Sequence, residues 1–211
     1  MDPQRIVRDG YDAIGERYHA WSHAAPTRIA YVERLRDRLA PGSLVLELGS
    51  GPGDPATRML AERHRVVAVD LSWRQIEIAR QKAPGASFVQ ADMTRLAVRP
   101  GSVDAVASFF ATGHVPSAEQ PAFYRRVGSW LRPGGVLLTT APRTPGDGTE
   151  EGWLGAPEMF FGGIGRDAAV AALEAGGLTV ETVDDVDEGD GERFLWIIAE
   201  RRMGTPRPST S

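Results

Sequence analysis

The stretch Val45-Leu46-Glu47-Leu48-Gly49-Ser50-Gly51-Pro52-Gly53 decides how this chain is read. Val45 to Leu48 have the look of a buried strand, and glycine at alternate positions then opens a loop that runs into a helix. Glycine reaches backbone angles closed to residues with a Cβ, and it lets a ligand lie directly on the main chain. The helix that follows offers unpaired amides at its N-terminus. Strand, glycine loop and helix in this order predict a nucleotide-type cofactor. The dinucleotide fingerprint G-x-G-x-x-G needs glycine at position 54, where Asp54 stands, and an acid there would repel a pyrophosphate. The expected ligand is therefore not a diphosphate, which disfavours a nicotinamide-dependent oxidoreductase.

The segments downstream sharpen this. Arg65 to Asp70 is a second apolar strand ending in a carboxylate, at the distance beyond the loop where an acid reaches ribose hydroxyls. Ser87 to Asp92 is a third strand ending in an acid, followed by Met93. Ser102 to Phe110 carries Asp104 near its start, and the turn Leu131-Arg132-Pro133-Gly134-Gly135 feeds a strand from Val136 to Thr140.

This ordered set resembles the class I S-adenosylmethionine-dependent methyltransferases over roughly residues 41–201. The resemblance rests on Glu47, Gly49, Gly51, Gly53, Asp70, Asp92-Met93 and the Leu-Arg-Pro-Gly-Gly turn. It implies S-adenosylmethionine as cofactor and S-adenosylhomocysteine as product. Gly49 and Gly51 would then lie against the methionine and ribose portion, with Ser50, Gly53 and Phe109 in the same pocket. Asp70 would accept from the ribose hydroxyls and Asp92 from the adenine amino group, with Leu71 and Met93 covering the adenine faces. Glu47 would orient the loop and the cofactor's amino end. Family members place a tyrosine of the N-terminal segment against the cofactor carboxylate or the acceptor, which draws attention to Tyr11 and above all Tyr18.

The 211 residues are 42% hydrophobic, enough for one sizeable core. One domain is expected over 1–203, with residues 1–40 as a helical cover, 142–165 as a lid segment and 204–211 as a disordered tail. A net charge of -4 argues against a nucleic-acid surface, which needs clustered Lys and Arg. No cysteine is present, so disulfides and thiolate metal sites are excluded. The N-terminus lacks a signal-peptide pattern and no apolar run approaches the ~20 residues of a membrane span, so a cytoplasmic protein without membrane contact is expected.

The expected architecture is α/β, a doubly wound, mostly parallel seven-stranded sheet with an antiparallel last strand. Helices are predicted over 3–10, 11–21 and 26–39, then 55–63, 72–82, 117–131 and 166–175. Strands are predicted near 44–48, 66–70, 86–90, 103–109, 135–141, 178–184 and 193–200. The last two flank Asp184 to Gly191, a link too short for a crossover helix, so they should pair antiparallel. That acidic link reads as a solvated hairpin tip without chemistry. Pro55 suits the first turn of its helix, and Asp54 is placed to cap free amides there.

His114 follows Phe109-Phe110-Ala111-Thr112-Gly113, past the C-terminal end of the fourth strand, the sheet edge where ligands sit. A histidine there can take the acceptor's proton or line the acceptor pocket. His19 and His23 would share a helix face, but no third ligand accompanies them at helical spacing, so no metal site is assigned. The long segment 142–165 holds Trp153, Met159, Phe160 and Phe161 among glycines and prolines, and these four are the expected acceptor contacts, as a lid that expels water. The expected reaction is methyl transfer to a small organic acceptor, with an oxygen nucleophile on an apolar or aromatic metabolite preferred. The alternatives are a methyltransferase acting on RNA or protein, and a non-catalytic cofactor-binding partner or sensor. The sequence does not give the acceptor, the atom methylated or the oligomeric state.

Overall fold

Short runs between Gly, Pro and Asp punctuation form five parallel strands: β1 (Leu44–Leu48), β2 (Arg65–Asp70), β3 (Ser87–Gln90), β4 (Val103–Ser108) and β5 (Leu131–Pro142). The structure is a computed structural model and describes residues 2–22, 26–189 and 192–203. β8 (Leu178–Gly189) and β9 (Glu192–Arg201) complete a seven-stranded sheet of order β3-β2-β1-β4-β5-β9-β8. β9 runs antiparallel to both its neighbours, the only reversed strand in this sheet. Val45 pairs with Val66 on one side and Ala105 on the other, so β1 is flanked on both sides. That explains its near-continuous apolar sequence, because helices cover both faces. Strand order reverses between β1 and β4, and the crevice at such a switch point opens beyond the strands' C-terminal ends.

One face of the sheet is covered by α6 (Gln120–Trp130) and α7 (Arg166–Ala175), whose Phe123, Tyr124, Trp130 and Leu173 pack on Leu46, Leu48 and Leu137. The other is covered by α3 (Pro26–Arg38) and α4 (Ala56–Ala61), with Val32, Leu35 and Leu60 against Val45, Leu138 and Trp196. Each such fully buried side chain contributes about 1.5–3 kcal/mol. α5 (Trp73–Lys82) begins at Ser72, whose hydroxyl accepts from the Gln75 amide at 3.1 Å, a side-chain N-cap.

The N-terminal helices divide at a different glycine from the one expected. α1 (Pro3–Ile14) runs straight through Gly10, and the break before α2 (Glu16–Ser22) falls at Gly15, with φ of 51°. Gly10 lies inside the helix because a Cβ there would come within 2.7 Å of Met159 Cε, so the residue serves close packing and not termination. A small third core joins Ile6, Val7 and Ile14 of α1 to Met159 and Phe160.

Residues 142–165 are not an open lid. They form a two-stranded antiparallel ribbon, β6 (Pro145–Glu150) and β7 (Met159–Ile164), joined through a 3-10 turn at Trp153–Gly155. The alternation that marks most strands is masked in β6, because Gly146 and Gly148 empty alternate positions and the remaining Pro145, Asp147, Thr149 and Glu150 supply no large apolar side chain. The turn motif Leu131 to Gly135 is absorbed into the start of β5, with a register shift between Val103 and Ala105 on the neighbouring strand. Asp54 makes no cap: its carboxylate meets Arg58 Nε at 2.8 Å. His23, the tip residues Asp190 and Gly191, and the tail 204–211 lie outside the described residues. Among the described residues no helix is long and apolar enough to cross a membrane.

Candidate active site

The glycine loop leaves β1 at the switch point with Gly49, Gly51 and Gly53 at φ of 68°, 54° and 75°, the left-handed region that favours glycine. An added Cβ at Gly49 would overlap Ala111 Cβ, and one at Gly51 would come within 3.2 Å of the Tyr18 ring. Two of the three glycines therefore leave their missing side chains at the wall of a cavity. Gly53 faces elsewhere, against Ala79 of α5 at 3.0 Å, and packs the loop onto the helix.

Beyond the strand ends lies a cleft walled by side chains from several strand ends and the helical cover. Its walls include Gly49, Gly51, Asp70, Leu71, Asp92 and Met93 on one side. Phe109, His114 and, from the helical cover, Gln4, Tyr11 and Tyr18 line the other. The structure thus gathers residues from β1, β2, β3, β4 and the cover at one place. Asp70 accepts from the Gly51 amide at 2.7 Å and from the Ser72 amide at 2.9 Å, so it ties the glycine loop to the start of α5. Burial raises its carboxyl to about 6, while these amides pull the other way. Asp92 caps a 3-10 turn, accepting from the Thr94 amide at 2.8 Å.

A narrower recess continues behind the loop, lined by Tyr18, Arg28, Glu47, Ser50 and Phe109 among others. Three buried polar atoms there have no hydrogen-bond partner among the described residues: Arg28 Nε, Glu47 Oε2 and Ser50 Oγ. Glu47 is 2% exposed, and burial raises its carboxyl to about 7. A guanidinium nitrogen, a carboxylate oxygen and a hydroxyl left without partners at one recess are costly unless a ligand satisfies them. Arg28, 7% exposed, is not among the site residues expected from the sequence. Its neighbours Arg34, Arg36 and Arg38 in the sequence look the same, and only the orientation of α3 turns Arg28 inward. Among the described residues, no group of three His, Cys, Asp or Glu side chains is arranged to hold a metal ion.

His114 is buried on a 3-10 turn (Thr112–His114), with Nδ1 2.7 Å from the Phe160 carbonyl and Nε2 2.8 Å from the Tyr11 hydroxyl. A carbonyl only accepts, so Nδ1 carries the hydrogen. In the neutral ring Nε2 is then the acceptor, and Tyr11 donates to it. Burial depresses the imidazole to about 4, which keeps the ring neutral at pH 7. Burial also raises the Tyr11 phenol well above its ordinary value. His114 therefore does not face the cleft as a lone base; Tyr11 stands in front of it. No periodic signal in the sequence links residues 103 positions apart, so this pair was invisible there.

The four apolar residues expected to meet an acceptor separate into two pairs. Met159 is fully buried and Phe160 is 7% exposed, both locked in the core under α1, so neither walls a cavity. Phe161 and Trp153 instead border an open cleft beside Phe110 and Phe194. Phe161 also lies 5.2 Å from the His114 ring, and Trp153 6.0 Å from Tyr11. This open cleft and the main one share Phe110.

The family described as "Methyltransferase domain" matches residues 45–135. Trans-aconitate 2-methyltransferase of Paracidovorax citrulli is 34% identical over 119 residues, 55% of this chain and 45% of that protein. Ubiquinone biosynthesis O-methyltransferase of Xanthomonas campestris pv. campestris is 36% identical over 127 residues, 57% of this chain and 51% of that protein. The chain spans about half the length of these two relatives. Among solved structures, a DhpI–SAH complex is 26% identical with a TM-score of 0.75, over 97% of this chain and 98% of that one.

Proposed function

Because the chain belongs to the class I S-adenosylmethionine-dependent methyltransferase family, we propose that it transfers a methyl group from S-adenosylmethionine to a small organic acceptor, with S-adenosylhomocysteine as the other product. The observation that carries this reading is the recess with unpaired Arg28, Glu47 and Ser50 beside the glycine loop. It fits the amino acid end of that cofactor, a carboxylate for Arg28 and an ammonium for Glu47. Asp70 holds the ribose hydroxyls, and Asp92, Met93 and Leu71 hold the adenine. When bound, S-adenosylmethionine supplies a methyl carbon already activated by its sulfonium.

The protein's own task is then to orient the acceptor, exclude water and receive a proton. Tyr11 and His114 are placed for the last. As the acceptor oxygen loses its proton to the Tyr11 oxygen, the Tyr11 proton passes to His114 Nε2, and the imidazolium is held by its Nδ1–H bond to the Phe160 carbonyl. Trp153 and Phe161 support an apolar or aromatic acceptor, since they border the open cleft next to this pair. An oxygen nucleophile accords with the hydroxyl relay and with the O-methyltransferase among the relatives.

Parallel calorimetric titration with S-adenosylmethionine, S-adenosylhomocysteine and NAD tests the reading. Micromolar binding of the first two is expected. Binding of NAD alone, or of none, overturns it. Release of S-adenosylhomocysteine on incubation with a panel of phenols and hydroxylated aromatics then reports turnover, and release only with amines would refute the oxygen acceptor.

A further inference from the structure

The bond between His114 Nδ1 and the Phe160 carbonyl, which sets the tautomer of the ring, spans two separate elements: the 3-10 turn after β4 and strand β7. One buried side chain ties those elements together. Gln120, the first residue of α6, is fully buried, and its Nε2 donates to the carbonyls of Thr112 at 3.2 Å, Val115 at 2.9 Å and Gly162 at 3.1 Å. Thr112 and Val115 bracket His114 on the turn. Gly162 lies two residues beyond Phe160, and carbonyls two apart on a strand point the same way, so the amide and the imidazole grip the same edge of β7. Two N–H hydrogens serve three acceptors, so at least one is shared, and the reverse orientation of the amide would set its oxygen against all three carbonyls. The approach is close: a Cβ at Gly162 would come within 2.8 Å of the Val115 carbonyl. A second link crosses the same junction at the surface, where Asp147 of β6 accepts from the Ser117 amide and hydroxyl, each at 3.0 Å. The buried link carries a cost, since Gln120 Oε1 has no partner among the described residues. An apolar side chain of the same length would fill this space without that orphan, but would leave the turn and the strand unjoined.

We propose that Gln120 is a positioning residue: it locks the turn to β7 at the separation where the Phe160 carbonyl holds the hydrogen on His114 Nδ1, and so leaves Nε2 free to accept from Tyr11. The proposal rests on the Tyr11–His114 relay described above. It gives the start of α6 a part in proton transfer, although Gln120 touches neither cleft.

The test reads the ring itself. In protein whose histidines are labelled for nitrogen NMR, the two ring nitrogens of His114, assigned by the loss of their signals in His114→Ala, report the tautomer. Wild type is expected to show one neutral form at pH 7, with the hydrogen on Nδ1. Gln120→Met keeps the length of the side chain and removes its donors; it is expected to show a mixture of both neutral forms, with affinity for S-adenosylhomocysteine unchanged. Ser117→Ala, which loses one bond of the exposed link, should keep the wild-type form. A mixture there too, at a comparable loss of thermal stability, marks general loosening and overturns the proposal, as does a Gln120→Met ring unchanged from wild type. If Gln120→Met does not fold, Gln120→Asn, which draws the amide back by about 1.5 Å, is read against the same outcomes. In turnover with the panel of phenols above, release of S-adenosylhomocysteine is expected to fall about tenfold in Gln120→Met and no further when that change is added to His114→Ala. Equal fold losses on both backgrounds overturn the proposal alone. A wild-type ring with its hydrogen on Nε2, or turnover undiminished in His114→Ala, overturns the relay and this proposal with it.

Discussion

Two glycine-rich stretches face the same cavity system, and they use glycine for opposite ends. In Gly49-Ser50-Gly51-Pro52-Gly53 every glycine has positive φ, and an added Cβ would press on Ala111, Tyr18 or Ala79. In β6, a Cβ added at Gly146 or Gly148 would meet nothing within 4 Å. The first stretch is glycine because space and backbone angle leave no choice. In the second, space is open: Gly146, at φ of 135°, still needs glycine's backbone freedom, whereas Gly148 stands where a side chain would fit. One half of the site is therefore tightly specified, and the other is an open surface on which Trp153 and Phe161 stand with Phe110 and Phe194.

The largest effects on chemistry should come from the Tyr11–His114 pair, which lines the closed cleft beside the rings of Trp153 and Phe161, and should leave cofactor binding alone. Tyr11→Phe and His114→Ala should each lower kcat by about 10²–10⁴-fold, the usual range for a lost proton-transfer group. Affinity for S-adenosylhomocysteine should stay within about threefold. Equal losses in kcat and affinity would return both residues to the role of pocket lining. Next in size, Gly49→Ala combines a left-handed backbone cost of about 1–2 kcal/mol with overpacking of about 1–3 kcal/mol. Thermal unfolding of the ligand-free protein should register that sum, and a loss below about 0.5 kcal/mol would show the loop to be adaptable. Asp70→Ala should weaken S-adenosylhomocysteine by about 1.5–3 kcal/mol, the scale of hydrogen bonds to a charged group. Unchanged affinity there refutes the ribose assignment.

A smaller and more diagnostic effect concerns pH. Glu47 sits at about 7 and Asp70 at about 6 in the folded protein, against 4.5 and 3.8 for the free groups. Between roughly pH 4 and 7 the folded state thus holds protons that the unfolded chain has released. These two acids make the ligand-free protein less stable as pH rises through that window. His114, depressed to about 4 from 6.5, acts in the opposite sense: its contribution is lost as pH falls from 6.5 toward 4. A ligand ammonium that pairs with Glu47 favours the ionised acid, so binding expels a proton. Affinity for S-adenosylhomocysteine should rise by up to about tenfold per unit from pH 5.5 to 7. Titrations in buffers of different ionisation enthalpy at pH 6 should show close to one proton released, and proton uptake would contradict the pairing. Smallest of all, Gly148→Ala should change stability by no more than about 0.5 kcal/mol, as at other open surface positions. A larger loss would mean the ribbon is as constrained as the loop.

Legibility in the sequence follows the same line. The seven strands, their order of appearance and the reversal of β9 were readable, because each rests on local signals: an apolar run, a terminal acid, a glycine or proline, a link too short for a crossover. The ribbon in 142–165 was not, since its glycines erase the period-two pattern that announces a strand. Nor was the hinge at Gly15, because Gly10 offers the same signal for a different reason, its contact with Met159.

By itself the sequence determined the sheet and which residues gather around the closed cleft and its recess, from Glu47 and the glycine loop to Asp70 and Asp92, because successive strand–helix units bring the ends of neighbouring strands to one sheet edge. Only the tertiary structure decided that Arg28 points inward, that Tyr11 stands before His114, and that Met159 and Phe160 are core while Trp153 and Phe161 border the cleft. Those facts depend on how the cover helices and the ribbon dock across separations of more than 100 residues, and side-chain direction at such contacts is set by packing, which no local pattern encodes.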